Sequence, residues 1–218
     1  MDGLAAAAAG LRKGSFVLIY DGDEREGEAD LCFHASFAAP ERIQRLRKDA
    51  GGLICLALEG DIAKKLSLPF YSDILTASRH PLAAMDCKKA AYGDKPAFAI
   101  PVNHKKVYTG ITDNDRSLTI KSIAELVGSG MDGTRMRKKF IKDFYSPGHV
   151  FLLIGRGIEN RHGHTELTLE LARRAGMSGA MVLCEMLGTG NALPKSSARE
   201  YAKKNGFAFL EGRQLWPK

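Results

Sequence analysis

Short apolar runs bounded by turn-forming residues recur along the chain, and each predicts a β-strand. These runs are Phe16 to Tyr20, Leu53 to Leu58, Ala97 to Val102, Val150 to Gly155, Ala180 to Cys184 and Phe207 to Leu210, with a shorter one at Leu31 to Phe33. Four stretches between them have helical character: Pro40 to Ala50, Ser117 to Val127, Thr165 to Ala175 and Pro194 to Asn205. The pattern predicts an α/β or α+β fold, a mixed sheet with surrounding helices in one compact domain over residues 1–218.

The order of the strands is not readable from this pattern. Strands and helices alternate too irregularly for a plain series of βαβ units, so some neighbouring strands are candidates for hairpins. The stretch from Tyr71 to Pro96 is expected to be a long, loop-rich excursion.

Composition narrows the class of protein. The chain has 218 residues, of which 44% are hydrophobic and 26% charged, which is enough for one well-buried core. The chain has 32 Lys and Arg residues against 25 Asp and Glu. This excess of positive charge is compatible with binding of nucleic acid or of a phosphorylated substrate, or it serves solubility alone. Because the basic residues are spread along the chain rather than gathered with aromatic residues, we expect no nucleic-acid partner.

The cysteines and the N-terminal segment bear on location. Cys32, Cys55, Cys87 and Cys184 have no close-paired spacing, which is typical of reduced, intracellular thiols. The Ala-rich segment from Leu4 to Gly10 is too short for a signal peptide or a membrane span. We therefore expect a cytoplasmic protein that does not associate with a membrane.

An acidic segment runs from Asp21 to Asp30, and six of its ten residues are acidic. If it is extended, Glu24, Glu26, Glu28 and Asp30 alternate onto one face and present hard oxygen ligands to a divalent ion. The alternative is a solvated turn between two strands. Arg25, in the middle, is either an internal ion-pair partner or a clamp for substrate.

The segment Arg161-His-Gly-His-Thr165 leads directly into a predicted helix. A helix N-terminus offers unpaired backbone donors and a favourable dipole, so together with Arg161 and Thr165 it predicts a phosphate-binding site. Gly163 allows close approach of a ligand to the backbone. The two histidines can also bind metal, or they are ordinary loop residues.

Three further positions carry weaker signals. His149 precedes an apolar strand and is either a base or a hydrogen-bonded structural histidine. Glu185 ends the apolar run Ala180 to Cys184 and is either functional or merely exposed. The segment Thr109 to Thr112, followed by Asp113 to Arg116, resembles a turn and helix entry rich in hydroxyl groups and charges, and simple helix capping is the alternative explanation.

Taken in order, these segments resemble the 3,4-dihydroxy-2-butanone 4-phosphate synthase family, in its shorter single-domain form. The resemblance runs from about Gly14 to Phe209. It is carried by Asp21 to Leu31, the strand around Cys55, Thr109 to Ile120, Asp143 to Leu153, Arg161 to Glu166 and Cys184-Glu185. The commonest acidic pattern of the family reads Arg-Glu-Asn-Glu-Gly-Asp, from which this chain departs at Gly27 and Ala29.

The resemblance implies a lyase of riboflavin biosynthesis that converts D-ribulose 5-phosphate to L-3,4-dihydroxy-2-butanone 4-phosphate and formate. Glu26 and His164 would bind magnesium, with manganese as a possible substitute. His149 and Glu185 match the positions that the family treats as essential for catalysis. The positions that would hold or line the substrate site are Asp21, Arg25, Glu26, Asp30, Cys55, Thr112, Arg161, His162, Gly163, His164 and Thr165.

A chemically reasonable path forms a metal-stabilised enediolate, loses water and rearranges the carbon skeleton before the fourth carbon leaves as formate. A metal-dependent sugar-phosphate isomerase or aldolase would need the same phosphate-binding site, so such an enzyme is the alternative to the lyase. A basic protein that binds nucleic acid is less favoured, because that function would explain the positive charge but not the acidic segment. The resemblance also implies a homodimer with the site at the subunit interface.

Overall fold

A seven-stranded mixed sheet forms the centre of the computed structural model, which describes residues 3–85, 89–90 and 93–217. The strands are β1 (Val17–Tyr20), β2 (Ala29–His34), β3 (Cys55–Leu58), β4 (Phe98–His104), β5 (Phe144–Ile154), β6 (Ala180–Glu185) and β7 (Ala208–Glu211). Their order across the sheet is β4-β5-β3-β6-β2-β1-β7. The pairs β1/β7 and β3/β5 are parallel, and the other neighbours are antiparallel.

Helices cover both faces of the sheet. They are α1 (Gly3–Arg12), α2 (Pro40–Arg45), α3 (Gly60–Leu66), α4 (Tyr71–Ala77), α5 (Asp113–Val127), α6 (Gly133–Asp143), α7 (His164–Arg174) and α8 (Lys195–Asn205). Helices α1 and α7 contribute to the core on one face, and α2, α3, α5, α6 and α8 contribute to the core on the other. In β1, Leu18 points into one core while Val17 and Ile19 point into the other, which explains why the strands read as continuous apolar runs.

The predicted α/β fold with a mixed sheet is confirmed. Every predicted strand and helix is present, with ends displaced by up to a few residues in most cases. In α7 an ion pair joins Glu170 Oε1 to Arg174 Nε at 2.7 Å, one helical turn apart. Cys32, Cys55 and Cys184 are buried and free, while Cys87 lies outside the described residues. The single-domain organisation over residues 1–218 stays a prediction.

Three segments of the structure differ from the prediction. The stretch from Tyr71 to Pro96 was expected to be loop-rich, but it opens with helix α4 and continues with a 3₁₀ turn at Pro81–Ala84. Helix α5 begins at Asp113, four residues before the predicted start, because the Thr112 hydroxyl caps it by accepting the backbone N–H of Asp115. Strand β5 begins at Phe144, so His149 lies within the strand instead of before it.

Candidate active site

The acidic segment forms a turn between β1 and β2 rather than an extended run. The Asp21 carboxylate accepts the backbone N–H of Glu26 at 3.0 Å and that of Glu28 at 3.2 Å. Gly27, at φ +67, supplies the left-handed conformation that the turn requires. Of the two interpretations of this segment, the turn between two strands is the one found over residues 21–28, because Asp21 folds the segment back on itself.

This turn places Glu26 against His164, the first residue of α7. The distance from Glu26 Oε2 to His164 Nδ1 is 3.4 Å, and His164 Nε2 lies 3.2 Å from the Glu28 carbonyl oxygen. Ligand atoms of Asp21, Glu26 and His164 all lie within 4.8 Å of one another. Carboxylate oxygens and an imidazole nitrogen gathered this closely form a donor set that could hold a divalent metal ion.

The electrostatics of this cluster also suit a cation. Burial alone would lower the pKa of His164, but the carboxylates of Asp30, Glu26 and Asp21 outweigh burial and raise that pKa. Burial also raises the pKa of Asp30, with further increases from neighbouring acidic groups including Glu185. Asp30 Oδ1 is buried without a hydrogen-bond partner and lies 3.6 Å from His164 Nε2. A divalent cation would relieve this crowding of carboxylates.

Two arginines converge beside the cluster. Arg25 Nη2 lies 2.8 Å from Asp94 Oδ2, and Arg161 Nε lies 3.4 Å from the same oxygen atom. Arg161 Nη1 also pairs with Glu166 Oε2 at 2.5 Å, within the first turn of α7. The carboxylate of Asp94 thus occupies a position that two guanidinium groups make favourable for an anion.

The other residues of the Arg-His-Gly-His-Thr segment lie in different surroundings. Gly163 is the N-terminal cap residue of α7, and Thr165 is buried in the first turn. The ring of His162 stacks on Trp216 with 4.6 Å between the ring centroids. His162 therefore packs on the C-terminal segment, whereas His164 faces the acidic turn.

Glu185, Asp30 and Cys55 lie near one end of the sheet. Asp30 pairs with Glu185 across β2 and β6, and Cys55 pairs with Leu183 across β3 and β6. Glu185 Oε2 accepts the backbone N–H of Leu53 at 2.7 Å, so the carboxylate also organises the segment that enters β3. Burial raises the pKa of the Cys55 thiol well above its usual value, and the charges of Glu185 and Asp30 raise it further.

His149 and Thr112 lie in a second group of contacts. The register of β4 and β5 shifts between Val102/Val150 and Asn103/Tyr145, so residues 146–149 form a bulge in β5. The bulge places His149 on the side chain of Asn103 and beside Gly110. The Asp115 carboxylate accepts the backbone N–H groups of Tyr108, Thr109 and Gly110 and so holds the loop that leads to Thr112.

Comparison with known proteins identifies the family. The family model for 3,4-dihydroxy-2-butanone 4-phosphate synthase matches residues 5–217. The synthase of Archaeoglobus fulgidus is 42% identical over 212 residues, covering 94% of this chain and 88% of the relative. The chain belongs to this family. The synthase of Methanothermobacter thermautotrophicus is 41% identical, covering 94% of this chain and 90% of the relative.

Solved structures of the synthase family share the fold. The two-domain synthase RibBX from A. baumannii is 28% identical, with a TM-score of 0.78; the match covers 97% of this chain and 56% of that one. A synthase in complex with two magnesium ions is 24% identical, with a TM-score of 0.77, covering 99% of this chain and 95% of that one. At that identity, this second likeness supports the fold alone.

Family membership confirms the enzyme that the resemblance implied, a 3,4-dihydroxy-2-butanone 4-phosphate synthase acting on D-ribulose 5-phosphate in riboflavin biosynthesis. The assignment of individual residues stays a prediction. No signal in the sequence pointed to Asn103, because its partner His149 lies 46 residues away on another strand. No helix among the described residues has both the length and the apolar character needed to cross a membrane.

Proposed function

We propose that this synthase converts D-ribulose 5-phosphate to L-3,4-dihydroxy-2-butanone 4-phosphate and formate at the site between the acidic turn and the N-terminus of α7. The convergence of Glu26, His164 and Asp21 carries the proposal, since their ligand atoms lie within 4.8 Å of one another. Two arginines next to this cluster already share one anionic partner, Asp94.

Glu26 and His164 are the proposed protein ligands of magnesium. Asp21 already accepts two backbone N–H groups, so its proposed role is to hold the turn that presents Glu26. Magnesium takes few protein ligands and keeps several waters, which fits a set of two. The imidazole makes manganese a plausible substitute. When bound, the metal supplies Lewis-acid stabilisation of negative charge on the sugar oxygens.

Arg25, Arg161 and Thr165 are the proposed phosphate-binding residues. Both guanidinium groups contact the Asp94 carboxylate, and a phosphate would compete for the same position. The backbone N–H groups at the start of α7, three residues after Arg161, are proposed as further donors to the phosphate. The proposed lining of the remainder of the sugar site consists of Asp30, Cys55, Thr112, His162 and Gly163.

Glu185 and His149 are the proposed residues for proton transfer. Glu185 is at the end of β6 and faces Asp30, so its carboxylate lies next to the proposed metal site. Enediolate formation requires removal of a proton beside the ketone of ribulose 5-phosphate, and later dehydration and rearrangement also move protons. Both residues are proposed to serve these proton transfers.

A homodimer is part of the proposal. Around the His149 group the chain exposes large hydrophobic side chains: Tyr145 is 42% exposed, Ile111 51% and Tyr108 96%. Exposed apolar groups close together are typical of surfaces that a partner covers. A second copy of the chain seated there would place the site at the subunit interface, and sedimentation showing an active monomer would argue against it. The cytoplasmic location stays a prediction.

A formate assay tests the proposed function. Purified protein is incubated with D-ribulose 5-phosphate after removal of metal by a chelator, and then with magnesium or manganese restored. Formate that appears only with metal, and disappears in Glu26→Gln, supports the proposal. Conversion to another sugar phosphate without formate would favour the alternative, a metal-dependent isomerase or aldolase.

A further inference from the structure

The side chain of Asn103 contacts His149 at two atoms. The backbone N–H of His149 donates to Asn103 Oδ1 at 2.8 Å, and Asn103 Nδ2 lies 3.1 Å from His149 Nδ1. Asn103 is buried, with 1% of its surface exposed. The remaining hydrogen of its amide donates to the Tyr145 hydroxyl at 3.0 Å, so every polar group of this amide has a partner.

These contacts fix which way the amide points. A backbone N–H can only donate, so the atom of Asn103 that it meets must be the oxygen. If the amide were reversed, its NH₂ group would face the N–H of His149, and two donors would oppose each other. The NH₂ group therefore faces Nδ1 of the imidazole.

The direction of the amide in turn determines the tautomer of His149. Because the NH₂ group of Asn103 is a donor, Nδ1 must accept, and a proton on Nδ1 would set two donors against each other. The neutral ring then carries its proton on Nε2. An imidazole in this form offers a hydrogen bond from Nε2 and has no lone pair there to take a proton.

The surroundings hold Asn103 and His149 in this arrangement. A Cβ atom at Gly110, where φ is +97, would lie 2.1 Å from Asn103 Nδ2 and 2.6 Å from His149 Nδ1. A Cβ atom at Gly148 would lie 2.0 Å from the carbonyl carbon of Val102. Because glycine has no side chain, Gly110 lets the 108–112 loop pack against Asn103 and His149, and Gly148 lets the β5 bulge pack against the backbone of Val102.

We propose that Asn103 is a positioning residue that holds His149 as the Nε2–H tautomer, so that His149 donates a hydrogen bond to a substrate oxygen while Glu185 takes the proton. This inference rests on the proposed function and assigns a separate role to each of the two residues named there, Glu185 and His149. A neutral histidine acting as an electrophile is a known device for stabilising enediolate charge. No proton leaves His149 in this step: the proton beside the ketone goes to the Glu185 carboxylate, and its electron pair stays in the enediolate.

Nitrogen NMR of the ¹⁵N-labelled full chain tests the tautomer directly. Long-range correlations between ring protons and ring nitrogens distinguish Nε2–H from Nδ1–H, and His149→Gln assigns the signal. We expect the Nε2–H pattern for His149 at neutral pH in the wild-type protein. An Nδ1–H pattern would overturn the proposal, and this measurement requires no Asn103 variant to fold.

The isosteric variant Asn103→Asp tests the catalytic consequence. Aspartate still accepts the backbone N–H of His149, but it presents an acceptor to Nδ1 and so favours a proton there. We expect kcat to fall about 100-fold or more with KM changed less than about threefold, as for the loss of one oxyanion donor. Tyr145→Phe is the matched control for the direction of the amide, since it removes one partner without reversing the amide, and we expect the Nε2–H pattern of His149 to persist in this variant.

Normal kcat in Asn103→Asp would refute the role of the tautomer. A wild-type protein that produces no formate would refute the proposed function instead, while the NMR pattern would still decide whether Asn103 fixes the tautomer of His149. The two failures are therefore distinguishable.

Discussion

Replacing Glu185 with Gln separates the chemical role of this carboxylate from its structural role. The change keeps the size of the side chain, and the amide oxygen of Gln can still accept the Leu53 N–H that Glu185 now accepts at 2.7 Å. Only the charge assistance of that hydrogen bond is lost, which costs about 1 kcal/mol of unfolding free energy. For a chain of this size, the melting temperature should fall by only about 2 to 4 °C.

The effect on catalysis should be much larger. An amide cannot take a proton, and loss of a general base lowers the rate by about 10² to 10⁴-fold, or about 3 to 5 kcal/mol of transition-state stabilisation. The assay measures formate release at saturating D-ribulose 5-phosphate and magnesium, beside a thermal melt of each protein. Activity within about threefold of wild type would refute the assigned role.

Glu59→Gln is a matched control for this experiment. Glu59 follows the other end of β3 and is half-buried, as Glu185 is, so the same chemical change is made away from the proposed site. We expect normal turnover in this variant. If Glu185→Gln lost both activity and several kcal/mol of stability, the carboxylate would be structural.

Three further predictions follow from the site. Because neighbouring carboxylates raise the pKa of His164, metal binding must displace a proton, so the affinity for magnesium should rise with pH by up to about tenfold per unit below that pKa; calorimetry that finds the same Kd at pH 6 and pH 8 would contradict this. Gly110→Ala should lower the unfolding free energy by more than about 2 kcal/mol, because a Cβ would lie 2.1 Å from Asn103 Nδ2 at a φ of +97. Gly130→Ala shares the positive φ but has no atom within 4 Å, so denaturant titration should show a smaller loss there. Asp94→Asn should lower KM for ribulose 5-phosphate about threefold at low salt, since substrate phosphate no longer competes with a carboxylate; an increase in KM would indicate that Asp94 organises the arginines instead.

The strands and most helices were predictable because burial leaves a simple pattern. Strands such as β1 and β6 lie between two cores, which requires an apolar residue at nearly every position. Helix α1 was missed because its Ala-rich sequence shows no polar face, and its buried residues pack on the α7 side of the sheet. In α6 only Met136 and Phe140 are buried, too few to give a clear helical period.

The residues of the site were predictable in type but not in arrangement. The family resemblance pointed to Glu26 and His164, and the structure brings them to 3.4 Å. The turn that does so depends on hydrogen bonds from the backbone to Asp21, which an alternating pattern cannot reveal. The environment of His149 depends on Asn103, 46 residues away, and on a register shift that only the pairing of β4 with β5 produces.

The most direct test of the central claim follows the carbon that is released. Ribulose 5-phosphate labelled with ¹³C at the fourth carbon is incubated with the enzyme and magnesium, and the products are followed by carbon NMR. The account predicts labelled formate and an unlabelled four-carbon phosphate, with neither formed in the presence of a chelator. Label that remains in a five-carbon sugar phosphate, or formate released without any divalent metal, would contradict it.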